Sequence, residues 1–332
     1  MKTVAVLGSG SWGTALAFHL ASAGHDVRLW GRNAELIEEM KVRRANAVYL
    51  PDIVLPPAVV PTASLDEALR RADIVVAALP SHGTRAVIRA AAPLISRQAL
   101  IVSATKGIEQ DTLLRVSEVI AQEVRGARPV AVLSGPSFAI EVARRLPTAV
   151  SVACVDPVLA EDVQREFRAA YFRLYGSTDV IGVEIGGALK NIIAIAAGVV
   201  EGLGLGQNAL AALITRGLAE ITRLACAVGG RRETLAGLSG LGDLVLTCTG
   251  SFSRNRHVGV ELAHGRPISE VVAGMKMVAE GVKTTTAALA LGRKHGVELP
   301  IAAQMAEVLS GNRSAAAAVE ELMLRPQKTE VT

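Results

Sequence analysis

The chain has 332 residues, half of them hydrophobic and 20% charged, with a net charge of +4. That length predicts about two domains, and the apolar share excludes global disorder. Aromatics at 3% leave little for base stacking, and the basic pairs at 43–44, 144–145 and 231–232 are short and scattered. They read as solvated surface, so no nucleic acid partner is expected.

In chain order, "VAVLG" (4–8), "DVRLW" (26–30), "DIVVAAL" (73–79), "ALIVSAT" (99–105) and "PVAVLSG" (129–135) read as buried parallel strands. Between them "WGTALAFHLASAG", "NAELIEEMK", "SLDEALRRA" and "DTLLRVSEVIAQEV" carry helix periodicity, with Asn33, Ser64 and Asp111 as N-caps. This alternation predicts an α/β Rossmann-like, doubly wound sheet with right-handed crossovers. "TAVSVAC" (148–154) and "FRLYGS" (172–177) are expected to complete the sheet. From about residue 179 the sequence turns Ala/Leu-rich and helical, punctuated by glycine turns. The expected division is therefore 1–178 for the nucleotide-binding domain and 179–332 for an all-α substrate and catalytic domain.

Cys154, Cys226 and Cys248 are odd in number and contain no C-x-x-C, which argues against a disulfide framework or a zinc site. No metal is expected. "MKTVAVLG" is too short for a signal-peptide core. "IIAIAAGVV" is broken by Glu201 and glycines before reaching the ~20 residues of a membrane span. A cytoplasmic location without membrane insertion is the expectation.

Gly8, Gly10 and Gly13 stand in G-x-G-x-x-G spacing between the first strand and the first helix. The first glycine makes the tight turn, the second lets backbone approach a pyrophosphate, and the third packs helix on strand. The phosphates would then sit on a helix N-terminus. Where NAD-preferring folds place a carboxylate at the end of the second strand, this chain has "LWGRN". Arg32 stands where a 2′-phosphate could be met, which favours NADP (NADPH) with NAD possible; plain surface charge is the alternative reading.

"SATKGIE" delivers Lys106 to the carboxyl edge of the sheet, where open α/β folds bind ligands. "LSGPSFAIE" repeats that geometry, with Gly135 and Pro136 shaping a turn and Ser137 as a helix cap. A plain surface lysine is the preferred reading of the first segment alone and a plain cap suffices for the second, so the two point to a site only in combination. "GGALKN" is different, because Lys190 and Asn191 interrupt a helix that is apolar on every side. A structural lysine would snorkel to water, and here no aqueous face is evident. Burial would lower the pKa from about 10.4 toward a range useful for a general acid/base. Asp243 lies in an uncharged, glycine-flanked stretch. Ser253, Arg254 and Asn255, if they open a helix, form a site for a dianionic phosphate; a simple N-cap and a solvated face are the competing readings. Glu280 reads only as a helix start.

Taken together, "GSGSWGTALA", "KGIE", "GPSFAIE", "GALKNIIAIAAG", "NALAALITRGLAE", "GLSGLGDLVLTC", "SRNRHVG" and "VAEG" resemble NAD(P)-dependent sn-glycerol-3-phosphate dehydrogenases of bacterial type, in order and over residues 8 to 281. The departure is "TCTGSFSRN", where that family more often has Ser or Thr with a Pro near Gly250–Ser251. The resemblance implies hydride transfer between dihydroxyacetone phosphate and sn-glycerol 3-phosphate, supplying glycerol phosphate for phospholipid synthesis. It implies Lys190 as proton acceptor and donor, with Lys106, Gly135, Ser137, Asn191, Asp243, Ser253, Arg254 and Asn255 around the substrate. It further implies Ser11, Trp12, Arg32, Lys106, Ala139, Arg254, Val278 and Glu280 as cofactor contacts. A homodimer is the expected assembly. Ketopantoate or 3-hydroxy acid dehydrogenases are the nearest rivals, but for an unphosphorylated substrate the "SRNR" segment would have no purpose.

Overall fold

A computed structural model of the protein describes residues 1–125, 129–275, 279–327 and 329. The first half runs β1 (Thr3–Leu7), α1 (Ser11–Ser22), β2 (Asp26–Trp30), α2 (Ala34–Arg43), β3 (Ala45–Asn46), β4 (Leu50–Val54), β5 (Val59–Thr62), α3 (Leu65–Leu69) and β6 (Ile74–Ala77). It continues through α4 (Ser81–Ala91), β7 (Leu100–Ser103), α5 (Val116–Glu123), β8 (Ala131–Ser134), α6 (Ala139–Ala143), β9 (Thr148–Ala153), α7 (Pro157–Phe167) and β10 (Phe172–Ser177). Eight of these strands form one sheet in the order β10-β9-β8-β7-β6-β1-β2-β5. The chain reverses its direction of travel at β1, which has β2 on one side and β6 on the other. A crevice at the carboxyl ends of the strands opens at such a switch point.

Strands β1, β6, β7 and β8 are buried almost throughout, being Val/Leu/Ile/Ala runs covered by helices on both faces. Asn33 and Ser64 cap α2 and α3, accepting from the backbone N–H of Leu36 and Glu67. Three features differ from the sequence reading. β9 runs antiparallel to β8, so the sheet is mixed. A short edge strand, β5, and a separate β3–β4 hairpin went unread, because each is a brief run broken by proline. Asp111 caps nothing: residues 108 and 115 pair across a turn, Leu113 takes φ 60°, and helix α5 starts only at Val116.

The second half is helical throughout its described residues: α8 (Val180–Gly202), α9 (Gly206–Ala227), α10 (Arg232–Leu235), a π-turn at Leu238–Gly242, α11 (Asp243–Thr249) and α12 (Arg254–Ala263). Then come α13 (Ile268–Ala273), α14 (Glu280–Lys294), α15 (Pro300–Leu309) and α16 (Ala315–Met323). Helix α8 is the axis of this half, and all but Ile181, Glu201 and Gly202 of its residues are buried. It is long and apolar enough to cross a membrane, yet it is enclosed by its neighbours, as a core helix is. Asp179 caps it, accepting from the N–H of Gly182 and of Arg231.

Glycines decide how closely α12 lies on α8. A Cβ at Gly198 would collide with the Arg256 carbonyl, and one at Gly259 with the Ile195 carbonyl. Backbone therefore meets backbone at this crossing, and the start of α12 is drawn alongside the middle of α8.

Candidate active site

The dinucleotide end is built at the switch point. Gly8 takes φ +119°, and a Cβ there would strike the Ala78 carbonyl of the neighbouring strand's exit. A Cβ at Gly13 would strike the Gly8 carbonyl, so α1 packs hard against the turn. Gly10 is the opposite: nothing lies within 4 Å of where its Cβ would be. Gly10 is also the N-cap of α1 and supplies no side-chain acceptor, so the first N–H groups of the helix face open space. An uncapped helix N-terminus under an open glycine fits a pyrophosphate. Ser11 and Trp12 are the first residues of that helix, and Trp12 packs in one apolar cluster with Ala139, the first residue of α6. Arg32 follows β2 and is exposed. Its charge, behind burial and that of Lys283, holds His82 below the ordinary histidine range, while Glu280 pulls the other way.

The reactive end is organised by Asp243, which follows the π-turn and is 1% exposed. Lys190 Nζ donates to its Oδ1 at 2.7 Å, and Lys106 Nζ to its Oδ2 at 2.6 Å. Lys106 also donates to the Gly135 carbonyl at 3.2 Å. Three distant parts of the chain thus meet on one carboxylate. Glycines before Lys190 make the approach possible: a Cβ at Gly187 would lie 2.6 Å from Ser134 Oγ, and one at Gly186 would lie 2.8 Å from the Ser239 carbonyl. Burial brings the Lys190 ammonium from its ordinary 10.5 to about 8, opposed by the attraction of Asp243 and reinforced by repulsion from Lys106. The Cys248 thiol, buried in the same surroundings, is pushed up to about 12 by that burial.

The α12 N-terminus adjoins this cluster. Ser253 is its N-cap, accepting from Arg256 N–H, and its hydroxyl also meets Thr247 Oγ1 at 3.2 Å. Asn255 donates to Asn191 Oδ1 at 3.0 Å and accepts from Gly281 N–H at 3.0 Å, tying α8, α12 and α14 together. Arg254 has no hydrogen-bond or ion-pair partner among the described residues, and burial disfavours its charge against the pull of Glu280. A half-buried, unpaired guanidinium beside a capped helix N-terminus is a strong attractor for an oxyanion.

The family model described as NAD-dependent glycerol-3-phosphate dehydrogenase N-terminus matches residues 3–160, and its C-terminus counterpart matches residues 179–320. The chain belongs to the NAD-dependent glycerol-3-phosphate dehydrogenase family. Among its relatives, glycerol-3-phosphate dehydrogenase (NAD(P)+) of Koribacter versatilis is 52% identical over 275 residues, 82% of each chain. The enzyme of the same name from Geobacter sulfurreducens is 53% identical over 273 residues, again 82% of each chain. The crystal structure of glycerol-3-phosphate dehydrogenase from Coxiella burnetii superposes with a TM-score of 0.94 at 42% identity, covering 98% of this chain and 99% of that one. As a member of this family the chain is an NAD(P)-dependent oxidoreductase.

Within this family member, many of the residues singled out from sequence are joined by hydrogen bonds or lie at the ends of neighbouring elements. Lys106, Gly135, Lys190 and Asp243 share one hydrogen-bonded cluster. Asn191 and Asn255 bond each other at the α12 N-terminus that bears Ser253 and Arg254. Gly8, Gly10, Ser11, Trp12, Gly13, Arg32 and Ala139 lie at the β1–α1 turn, after β2 and at the head of α6. Glu280, at the head of α14, acts on Arg254 through its charge. Val278 lies outside the described residues. Ser137 requires a correction: it caps no helix, because α6 begins with Phe138 at the cap position and no side-chain cap. Its hydroxyl instead donates back to the Gly135 carbonyl at 3.0 Å, which Lys106 also uses. Ser81 went unread. It bonds Glu280, and "ALPSHGT" at the end of a strand was legible by the sheet-edge logic that found Lys106.

Proposed function

We propose that the chain catalyses reversible hydride transfer between dihydroxyacetone phosphate and sn-glycerol 3-phosphate, with Lys190 as the acid/base and NADP(H) as the favoured dinucleotide. The observation that carries this reading is the pair of lysines sharing Asp243 beside the unpaired Arg254 at the head of α12. In it, residues 1–178 hold the dinucleotide and residues 179–332 hold the substrate and the acid/base.

The reduced nicotinamide supplies the hydride when bound. Ser253, Arg254 and Asn255 hold the phosphate, fixing the ketone relative to the sheet edge. As negative charge grows on the carbonyl oxygen, Lys190 donates a hydrogen bond and then its proton to that oxygen. Asp243 keeps the lysine aimed into the cleft and favours its ammonium form. Lys106, held by Asp243 and Gly135, adds a second positive charge. In the oxidative direction neutral Lys190 takes the hydroxyl proton back. The apolar wall of α8 excludes water and strengthens each of these charge interactions.

Cofactor choice rests on Arg32, an exposed cation at the end of β2 without a carboxylate in the ribose position. The cytoplasm, a role in phospholipid synthesis and a homodimer belong to the same reading and stand on the family resemblance.

The test is oxidation of NADPH with dihydroxyacetone phosphate. Wild type should turn over, and Lys190→Ala should lose about 10²–10⁴-fold in kcat while still binding NADPH. Full activity in Lys190→Ala would remove that lysine from the mechanism; no turnover by wild type would remove the substrate. Run with NADH as well, Arg32→Ala should erode the advantage of NADPH.

A further inference from the structure

Helix α4 begins directly after β6, the strand bonded to β1, so its N-terminus opens on the crevice beside that of α1. Its N-cap is Pro80, which offers no side-chain acceptor. The acceptor comes instead from the other half of the chain. Glu280, the first residue of α14, accepts from Ser81 N–H through Oε1 at 3.2 Å and from the Ser81 hydroxyl through Oε2 at 2.6 Å.

This pair is enclosed on both sides by parts of the site. Gly107, next to Lys106, takes φ +152°, and a Cβ there would lie 2.5 Å from Ser81 Cβ and 2.7 Å from its hydroxyl. The loop bearing Lys106 is thus seated on Ser81. On the far side, Gly281 N–H holds Asn255, which holds Asn191. The Glu280 charge also reaches Arg254.

Two helix N-termini therefore face the crevice in different states. That of α1, under Gly10, is open and uncapped. That of α4 is filled by a carboxylate, which satisfies its donor and repels a second anion. We infer that Ser81 is a positioning residue for the dinucleotide: it fixes the Glu280 carboxylate on α4, so that the pyrophosphate is received by α1 and Glu280 is presented to the cofactor in one orientation. Ser81 touches neither substrate nor reacting atoms and acts through Glu280. The inference rests on the reading of Glu280 as a cofactor contact.

The experiment is a double-mutant cycle on the full chain, with the NADPH Kd read by fluorescence titration and thermal unfolding measured in parallel. Ser81→Ala should weaken NADPH about tenfold, the order expected when a charged group loses a hydrogen bond. The KM for dihydroxyacetone phosphate should move far less. Glu280→Ala should weaken NADPH at least as much, and Ser81→Ala added to it should change nothing further. Ser81→Cys, which keeps the shape and weakens the bond, should move Kd in the same direction and serves if the alanine variant folds poorly. An unchanged Kd in the Ser81 variants, or effects that multiply in the double variant, overturns the positioning role. An unchanged Kd in Glu280→Ala instead removes Glu280 from the cofactor contacts, and the inference falls with it.

Discussion

At the scale of single residues, the proposed chemistry is concentrated on one proton. Lys190 titrates near 8 because burial outweighs the attraction of Asp243. Ketone reduction needs the ammonium, so kcat/KM for dihydroxyacetone phosphate should be flat at lower pH and fall as pH rises through about 8. Oxidation of glycerol phosphate needs the neutral amine and should rise through the same pH. Asp243→Asn takes away the attraction while burial stays, so the reduction limb should move to lower pH. A limb that stays in place would mean that another group sets it. Pattern alone exposed this lysine, because an ammonium inside an unbroken apolar helix has no bland explanation. Its partnership with Asp243 was not legible, since 53 residues separate the two and only the fold brings them together.

At the scale of elements, the α8–α12 crossing sets the proposed phosphate site beside the proposed acid/base. Gly259→Ala would push a methyl into the Ile195 carbonyl and wedge the helices apart. Overpacking of this kind costs about 1–3 kcal/mol. The expected result is a lower unfolding midpoint together with a raised KM for the phosphorylated ketone. A variant that lost stability but kept its KM would show that the crossing does not aim Arg254 and Asn255. The glycines just before Lys190 stand in the same stretch that drew attention to the lysine, and they are points of close approach. The sequence reading missed Gly198 and Gly259 because nothing local marks a glycine whose purpose is to admit a helix distant in the chain. The Ser137 error is of the same kind: a serine following a Gly-Pro turn reads as a helix cap, and the carbonyl of Gly135 outcompeted it.

At the scale of the whole molecule, two cores meet along α8. One comprises the two faces of the sheet, and the other surrounds α8 itself. Glu184 joins them from the first turns of α8: its buried carboxylate accepts from Arg115 at 2.6 Å and from the Ser117 N–H and hydroxyl at 2.8 and 2.6 Å, at the head of α5. Removing one partner of a buried ion pair costs about 3–5 kcal/mol, so Glu184→Ala should unfold at markedly lower urea. Both tryptophans, Trp12 and Trp30, lie in the sheet half. Fluorescence therefore reports that half while far-UV circular dichroism is weighted to the helices. The two transitions should coincide in wild type and separate in Glu184→Ala. Alternation of strands and helices made the first half readable, since each buried strand is a short aliphatic run. The reversed β9 was not readable, because a short, largely apolar run carries no signal of its direction.

The sharing of Asp243 by two lysines has one more consequence. Two ammonium groups and one carboxylate leave a positive charge unbalanced in a dry place, and Arg254 adds another nearby. A phosphate dianion arriving there supplies what is missing, and it should raise the affinity of Lys190 for its proton. Binding and protonation are then reciprocal: near pH 8 the ligand should draw a proton from solution, and alkaline conditions should weaken its binding. Calorimetric titration with glycerol phosphate in buffers of different ionisation enthalpy would count that proton, and Lys190→Ala should abolish the uptake. The proton is in this sense a second ligand, admitted to the cleft together with the phosphate.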